Sequence, residues 1–170
     1  MYAVRVWSVR HARGLNAFYR SFERLLCRMH GLFKSIGYER MERPVAAVEK
    51  AVKGMLFDCR MCGQCVLSST GMSCPMNCPK TLRNGPCGGV RDNGNCEVKP
   101  DMKCVWVEAY RGSQRIPDGV QAMSKVQFAV DQRLQGRSSW LRVVRELNPE
   151  PQAAPTPGNS AASGKSGGAS

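Results

Sequence analysis

The sequence predicts a small, cysteine-rich, metal-stabilised α+β module, mostly irregular, with a long N-terminal amphipathic helix and a disordered C-terminal tail. Three observations predict it. Eight of the nine cysteines fall between Cys59 and Cys104. Apolar residues recur at three- and four-residue steps from Leu15 to Ile36. From Asn148 onward the chain is mostly Pro, Ala, Gly and Ser, with too little apolar surface to order itself. The 170 residues allow one ordinary domain, or one small module with helical extensions.

The first segment, 1–43, reads as an amphipathic docking helix and connector. Leu15, Phe18, Phe22, Leu25, Leu26, Met29, Phe33 and Ile36 form its apolar stripe, and Arg13, Arg20, Arg24 and Arg28 lie on other faces. The stripe either packs on its own domain or docks on a partner subunit, because so small a module offers little surface to bury it. The first 22 residues hold four arginines and no acid, as transit peptides do, but serine is sparse and the periodicity runs on to Ile36. Gly37 ends the helix, and 38–43 is expected to be a connector.

Segment 44–110 is the cysteine-rich module. Pro44 suits the first turn of a short helix, Val45 to Lys53, which Gly54 closes. Turn signals follow at Asn84-Gly85, Gly88-Gly89 and Asn93-Gly94. Segment 111–147 is a C-terminal extension with a short strand, Val126 to Val130, and a short helix, Trp140 to Leu147, capped by Ser138 or Ser139. Residues 148–170 are the tail.

No run of 18 apolar residues exists and no secretory signal is visible, so a cytoplasmic protein with no membrane span is expected. In that compartment eight clustered cysteines read as metal ligands rather than disulfides. Their spacing is Cys59, Cys62, Cys65, Cys74, Cys78, Cys87, Cys96 and Cys104. Eight is two complete sets of four soft thiolate donors. Three cysteines two residues apart can curl around one corner of a four-iron cluster, as bacterial ferredoxin loops do, and the Cys74-Pro75 and Cys78-Pro79 steps match the proline that closes such a run. The fourth cysteine comes nine residues after Cys65 rather than four, so five candidates remain for the fourth ligand. Cys78 is favoured, leaving Cys74, Cys87, Cys96 and Cys104 as the second set. Structural zinc is the alternative, although it usually takes separated pairs. His11 and His30 lie on the N-terminal helix and are assigned to surface or packing. Cys27 reads as a small hydrophobe on the same helix.

The formal net charge of +12 is concentrated outside the module. Residues 1–56 carry eleven basic and four acidic side chains, residues 57–110 six and five. The excess fits compensation of anionic clusters and a docking surface for an acidic partner. Lys80, Arg83 and Arg91 are placed to balance cluster charge, and Trp106 to shield a cluster or to fill a small core. Nucleic acid is disfavoured, because the bases lie outside the cysteine region and no aromatics interleave them.

The stretch Cys74-Pro-Met-Asn-Cys-Pro-Lys-Thr-Leu-Arg-Asn-Gly-Pro-Cys-Gly-Gly-Val, with Gly94-Asn-Cys96-Glu-Val and Lys103-Cys104-Val-Trp106, resembles the C-terminal domain associated with methylenetetrahydrofolate reductase. The likeness covers roughly residues 45–110. In acetogenic bacteria a similar domain forms the small iron-sulfur subunit beside the catalytic subunit. The resemblance implies two [4Fe-4S] clusters held by all eight module cysteines. It implies a partner, a TIM-barrel flavoprotein that carries FMN or FAD and reduces methylenetetrahydrofolate in one-carbon metabolism, and an upstream electron donor. It makes this chain an electron-transfer subunit of an oxidoreductase complex. The alternative is a zinc-stabilised, non-redox structural subunit that orients the same partner. The chain is too short for a TIM barrel, which takes about 250 residues. It shows no flavin or folate constellation, and Asp92, Glu97 and Asp101 read as solvated loop acids.

Replacing Cys59 or Cys104 with serine is expected to remove about half of any bound iron, and Cys27→Ser none, as measured by metal analysis of protein purified without air.

Overall fold

The computed structural model describes residues 2–149. The fold is helical. Seven α-helices are joined by irregular loops and two 3₁₀ turns: α1 Tyr2–Arg10, α2 Ala12–Arg28, α3 His30–Ile36, α4 Tyr38–Phe57, α5 Val105–Ser113, α6 Gly119–Ser124 and α7 Ser139–Leu147, with 3₁₀ turns at Pro75–Asn77 and Gln132–Leu134. Extended pairing among the described residues is limited to two isolated bridges, Val90 with Cys96 and Asn95 with Lys103. The expected α+β class is therefore corrected to α.

The single N-terminal helix is replaced by three. At His11, between α1 and α2, the imidazole Nδ1 bonds the Trp7 carbonyl at 2.9 Å, beside the His11 N–H that bonds the same carbonyl at 3.0 Å. At Met29 the chain turns again, and Phe33 becomes buried against Leu141 and Val144. Gly37 ends the series as expected, at φ 95°. The expected connector 38–43 is instead the first part of α4, and Pro44 lies inside that helix. Proline there removes one ladder hydrogen bond, but Tyr38, Met41 and Val45 pack on the Phe33–Leu141–Val144 cluster and hold the segment helical. Nor does Gly54 close the helix. Phe57 is buried in the main core, so α4 runs on to it, and Asp58 ends it in the left-handed region, its N–H returning to the Gly54 carbonyl.

Helix α4 is central. It packs against α1, α3 and α7, while α5 packs on α1, α2, α6 and the Pro75–Asn77 turn. The main core joins Ala12, Phe57, Leu67, Met72 and Ile116, with Cys65 and Cys74 at its edge. A third cluster joins Cys104, Trp106 and Ala109, so Trp106 is a core aromatic beside a cysteine. The N-terminal stripe is divided. Leu15, Phe22 and Leu26 face the fold, with Phe22 edge-on to Trp140 at 4.8 Å, whereas Phe18 and Leu25 remain exposed.

The expected strand Val126–Val130 is irregular. No neighbouring strand edge is offered to it, and side-chain amides take its backbone groups instead. Asn84 accepts from Gln127 N–H at 2.7 Å and donates to the Gln127 carbonyl at 3.0 Å, and the Gln64 amide oxygen accepts from Asp131 N–H at 2.9 Å. The segment is thereby pinned across the two cysteine loops, with Phe128 90 % exposed. The short C-terminal helix forms as α7, and Ser138 is its cap, its hydroxyl accepting from Leu141 N–H. Beyond Pro149 the expected tail lies outside the described residues. None of the helices among the described residues is long and apolar enough to cross a membrane.

Gly71 marks the tightest junction between the cysteine region and a helix. Its φ is +58°, and a Cβ there would stand 2.3 Å from the Ser113 nitrogen and 2.5 Å from the Ala109 carbonyl on α5. Gly71→Ala is expected to cost about 2–4 kcal/mol in urea unfolding, from left-handed strain plus overpacking. Gly88→Ala, at φ +77° but in open space, is expected to cost only about 1–2 kcal/mol.

Candidate metal centre

Cys59 follows directly on the end of α4, so the helix terminus sets its position. Met61 and Gly63, both at positive φ, then curl the chain so that Cys62 and Cys65 return toward it. Met61 N–H donates to Cys59 Sγ at 3.3 Å. A Cβ on Gly63 would overlap the Leu134 carbonyl, so the glycine also lets the C-terminal extension lie against the loop. The loop's carbonyls are taken from outside. Gln135 donates to Arg60 O, Gly136 N–H to Met61 O, Arg142 to Gly63 O and Arg83 to Gln64 O. The Gln64 carbonyl also accepts from the Cys62 thiol at 3.6 Å, so the carbonyls of Arg60, Met61 and Gly63 are the ones engaged only from outside the loop.

Cys74 completes this set. It precedes the Pro75–Asn77 turn, and the buried Asn77 amide donates to the Phe57 carbonyl at 2.9 Å, drawing the turn onto the end of α4. One small pocket, of about 20 Å³, is lined by Cys59, Cys62, Cys65 and Cys74. Cys78, the sequence's favoured fourth partner of the triple, lies past the far end of the 3₁₀ turn and does not line this pocket. Burial, opposed by the Met61 N–H, pushes the Cys59 thiol up to about 11. Burial and the neighbouring Cys59 push Cys74 up to about 12. Both are protonated at neutral pH, so a metal taking them displaces protons and is held more tightly as pH rises.

Behind the pocket lies a charge that the sequence reading passed over. Lys53 is 1 % exposed. Its ammonium donates to Glu49 Oε1 at 2.8 Å, Ser139 Oγ at 2.8 Å and the Tyr19 hydroxyl at 3.1 Å. Tyr19 in turn donates to Cys65 Sγ at 3.5 Å. Burial works against the ammonium, yet Cys65, Tyr19 and Glu49 outweigh it and hold the Lys53 pKa above its ordinary value. Burial likewise raises Tyr19. Glu49 also accepts from the Ser138 and Ser139 hydroxyls and from Trp140 N–H. The available signal was positional: Glu49 and Lys53 sit four and eight residues after Val45, on the face that packs inward.

Cys78, Cys87, Cys96 and Cys104 occupy the loop system between the 3₁₀ turn and α5. Cys96 and Cys104 are buried, held by the Val90–Cys96 bridge and by Cys104 N–H donating to Gly94 O at 2.9 Å. Cys87 is exposed, accepts from Gly89 N–H and lies 3.6 Å from a Glu97 carboxylate oxygen. Lys80 pairs with Glu97, so Glu97 is an ion-pair partner rather than a free loop acid. Arg83 lines the first pocket. His11 bonds Trp7, and His30 bonds the Tyr38 hydroxyl at 2.6 Å, so both serve packing. Cys27 packs beside the Phe33 cluster.

Among the described residues no group of three or more Cys, His, Asp or Glu side chains stands at metal-holding separations. The donor chemistry still fits a soft centre in the first pocket: four sulfurs, a donating N–H, and the cations Lys53 and Arg83 on its wall.

A family model described as "Methylene-tetrahydrofolate reductase C terminal" matches residues 38–133. The chain belongs to this family. The match spans 96 of the 170 residues, from the start of α4 through the Gln132–Leu134 turn, and contains all eight module cysteines. No curated protein and no solved structure matches the chain. Tyr19 and Ser139, which hold Lys53, lie outside the part that matches the methylenetetrahydrofolate reductase family.

Lys53→Met should leave Glu49 buried without its cation and cost about 3–5 kcal/mol in denaturant unfolding. Adding Glu49→Gln is expected to recover part of that loss, since the amide still accepts from Ser138 and its uncompensated charge is gone.

Proposed function

We propose that this chain is the electron-transfer subunit of a methylenetetrahydrofolate reductase-type complex, and that it carries two [4Fe-4S] clusters. The observation that supports the reading best is the pocket shared by Cys59, Cys62, Cys65 and Cys74, with a buried ammonium behind it. Family membership supplies the reaction context. Cys59, Cys62, Cys65 and Cys74 would hold one cluster, and Cys78, Cys87, Cys96 and Cys104 the other. Such clusters pass single electrons, here between an upstream donor and a separate flavin- and folate-binding barrel.

The protein's own part is positional and electrostatic. Lys53 and Arg83 oppose the negative charge of four thiolates, and Met61 N–H donates to sulfur. Both effects favour the more reduced, more negative state and raise the potential. The main core, through Leu67, Met72 and Phe57, keeps water from the inner side. Tyr19 orients Cys65 by donating its hydroxyl proton to the sulfur. The chain carries no folate or flavin site in this reading, so substrate chemistry belongs to the partner.

Protein purified without air should be brown, contain about eight iron and eight acid-labile sulfide per chain, and bleach with dithionite. Colourless protein with stoichiometric zinc would replace the relay with a zinc-stabilised scaffold. Serine substitutions then test the grouping. Cys59→Ser/Cys74→Ser should lose no more iron than either single variant, whereas Cys59→Ser/Cys78→Ser should lose about twice as much.

A further inference from the structure

The groove between α2 and α7 has a chemistry that the electron-relay reading does not use. It is an open cavity of about 820 Å³, and Cys65 lines both it and the small cysteine pocket. One cysteine of the first set therefore borders this surface. The α2 wall presents Arg20, Arg24 and Arg28, all exposed, at four-residue spacing. Among the described residues none of these guanidiniums has an ion-pair or hydrogen-bond partner. A single carboxylate, Glu23, lines the groove with them. Opposite the α2 wall, Val66, Leu67, Val143 and Leu147 supply an apolar strip, with Ser68, Ser69 and Asn148 beside it. Past Gln127 the surface continues to Arg83, Arg142 and the exposed ring of Phe128.

We propose that this groove is the docking site for an acidic amphipathic helix of a partner protein, which seats that partner beside Cys65. Three arginines four residues apart rise about 6 Å per step along α2, the same step that separates acids at i, i+4 and i+8 of a second helix laid alongside. Leucine-type residues on the neighbouring face of that helix meet the apolar strip. Unpaired exposed arginines have no ion pair within the chain to break on docking, and they steer an acidic surface by charge. The chain's own residues 150–170 are a poorer occupant, since they carry one acid, Glu150, and one base, Lys165. Nucleic acid is poorer too, because the apolar strip offers no row of stacking faces.

The inference deepens the electron-relay reading and rests on it for its purpose. The geometry of the groove stands apart from cluster content, so the two are tested separately. The probe is a fluorescein-labelled helical peptide with glutamate at every fourth position and leucine on the adjoining face, followed by anisotropy with the full chain. Arg20→Glu/Arg24→Glu/Arg28→Glu is expected to weaken binding by about tenfold or more, with a steep loss in salt. The charge-matched control Arg10→Glu/Arg13→Glu/Arg40→Glu, exposed but outside the groove, is expected to change it less than about twofold. Equal loss in both variants, equal binding of a lysine-for-glutamate peptide, or stronger binding of duplex DNA that displaces the peptide would overturn the proposal. Iron and sulfide measured on the same samples separate the two readings. Colourless protein with arginine-dependent binding removes the relay and keeps the groove. Brown protein whose binding ignores these arginines does the reverse.

Discussion

The ammonium of Lys53 joins the helical part of the molecule to its cysteine loops. It bonds Tyr19 on α2, Glu49 on its own helix and Ser139 on α7, and through Tyr19 it reaches Cys65. A cation this deeply buried is stable only while its partners stay in place. The orientation of α2, α4 and α7 is therefore tied to the position of one sulfur. Any positive charge required behind an anionic centre is already built into the fold, and solvent counterions are not needed there.

Around that point the division of labour is clear. The end of α4 delivers Cys59, and the Asn77 amide draws Cys74 onto the same helix terminus. The C-terminal extension takes the carbonyls of the first loop with Gln135, Gly136 and Arg142. The segment around Gln127 is clasped by Asn84 and Gln64, one from each cysteine loop. The extension is thus a brace across the cysteine region, which has little apolar core of its own to hold its loops at fixed separations.

Local signals carried part of the fold. Gly37 as a helix end, Ser138 as a cap and the 139–147 helix were legible, because each depends on a few adjacent residues. The run of apolar residues from Leu15 to Ile36 indicated helix, but not the breaks at His11 and Met29, the second of which accompanies the burial of Phe33 against α7. The alternation at Val126–Val130 read as a strand, yet a strand needs an edge to pair with, and that partner is a tertiary matter. Pro44 and Gly54 carried ordinary helix-boundary meaning, and the burial of Tyr38, Met41 and Phe57 overrode both.

The sequence by itself determined the clustering of eight soft thiols and the family, because eight cysteines with their flanking prolines and glycines form a contiguous pattern that needs no three-dimensional information. Only the tertiary structure decided that Cys74 shares a pocket with the first three, that a lysine–glutamate pair lies buried behind them, and that Cys65 borders an arginine-lined groove. Those outcomes depend on where α2, α4 and α7 cross, and helix crossings are set by packing between residues dozens of positions apart, which no local spacing encodes.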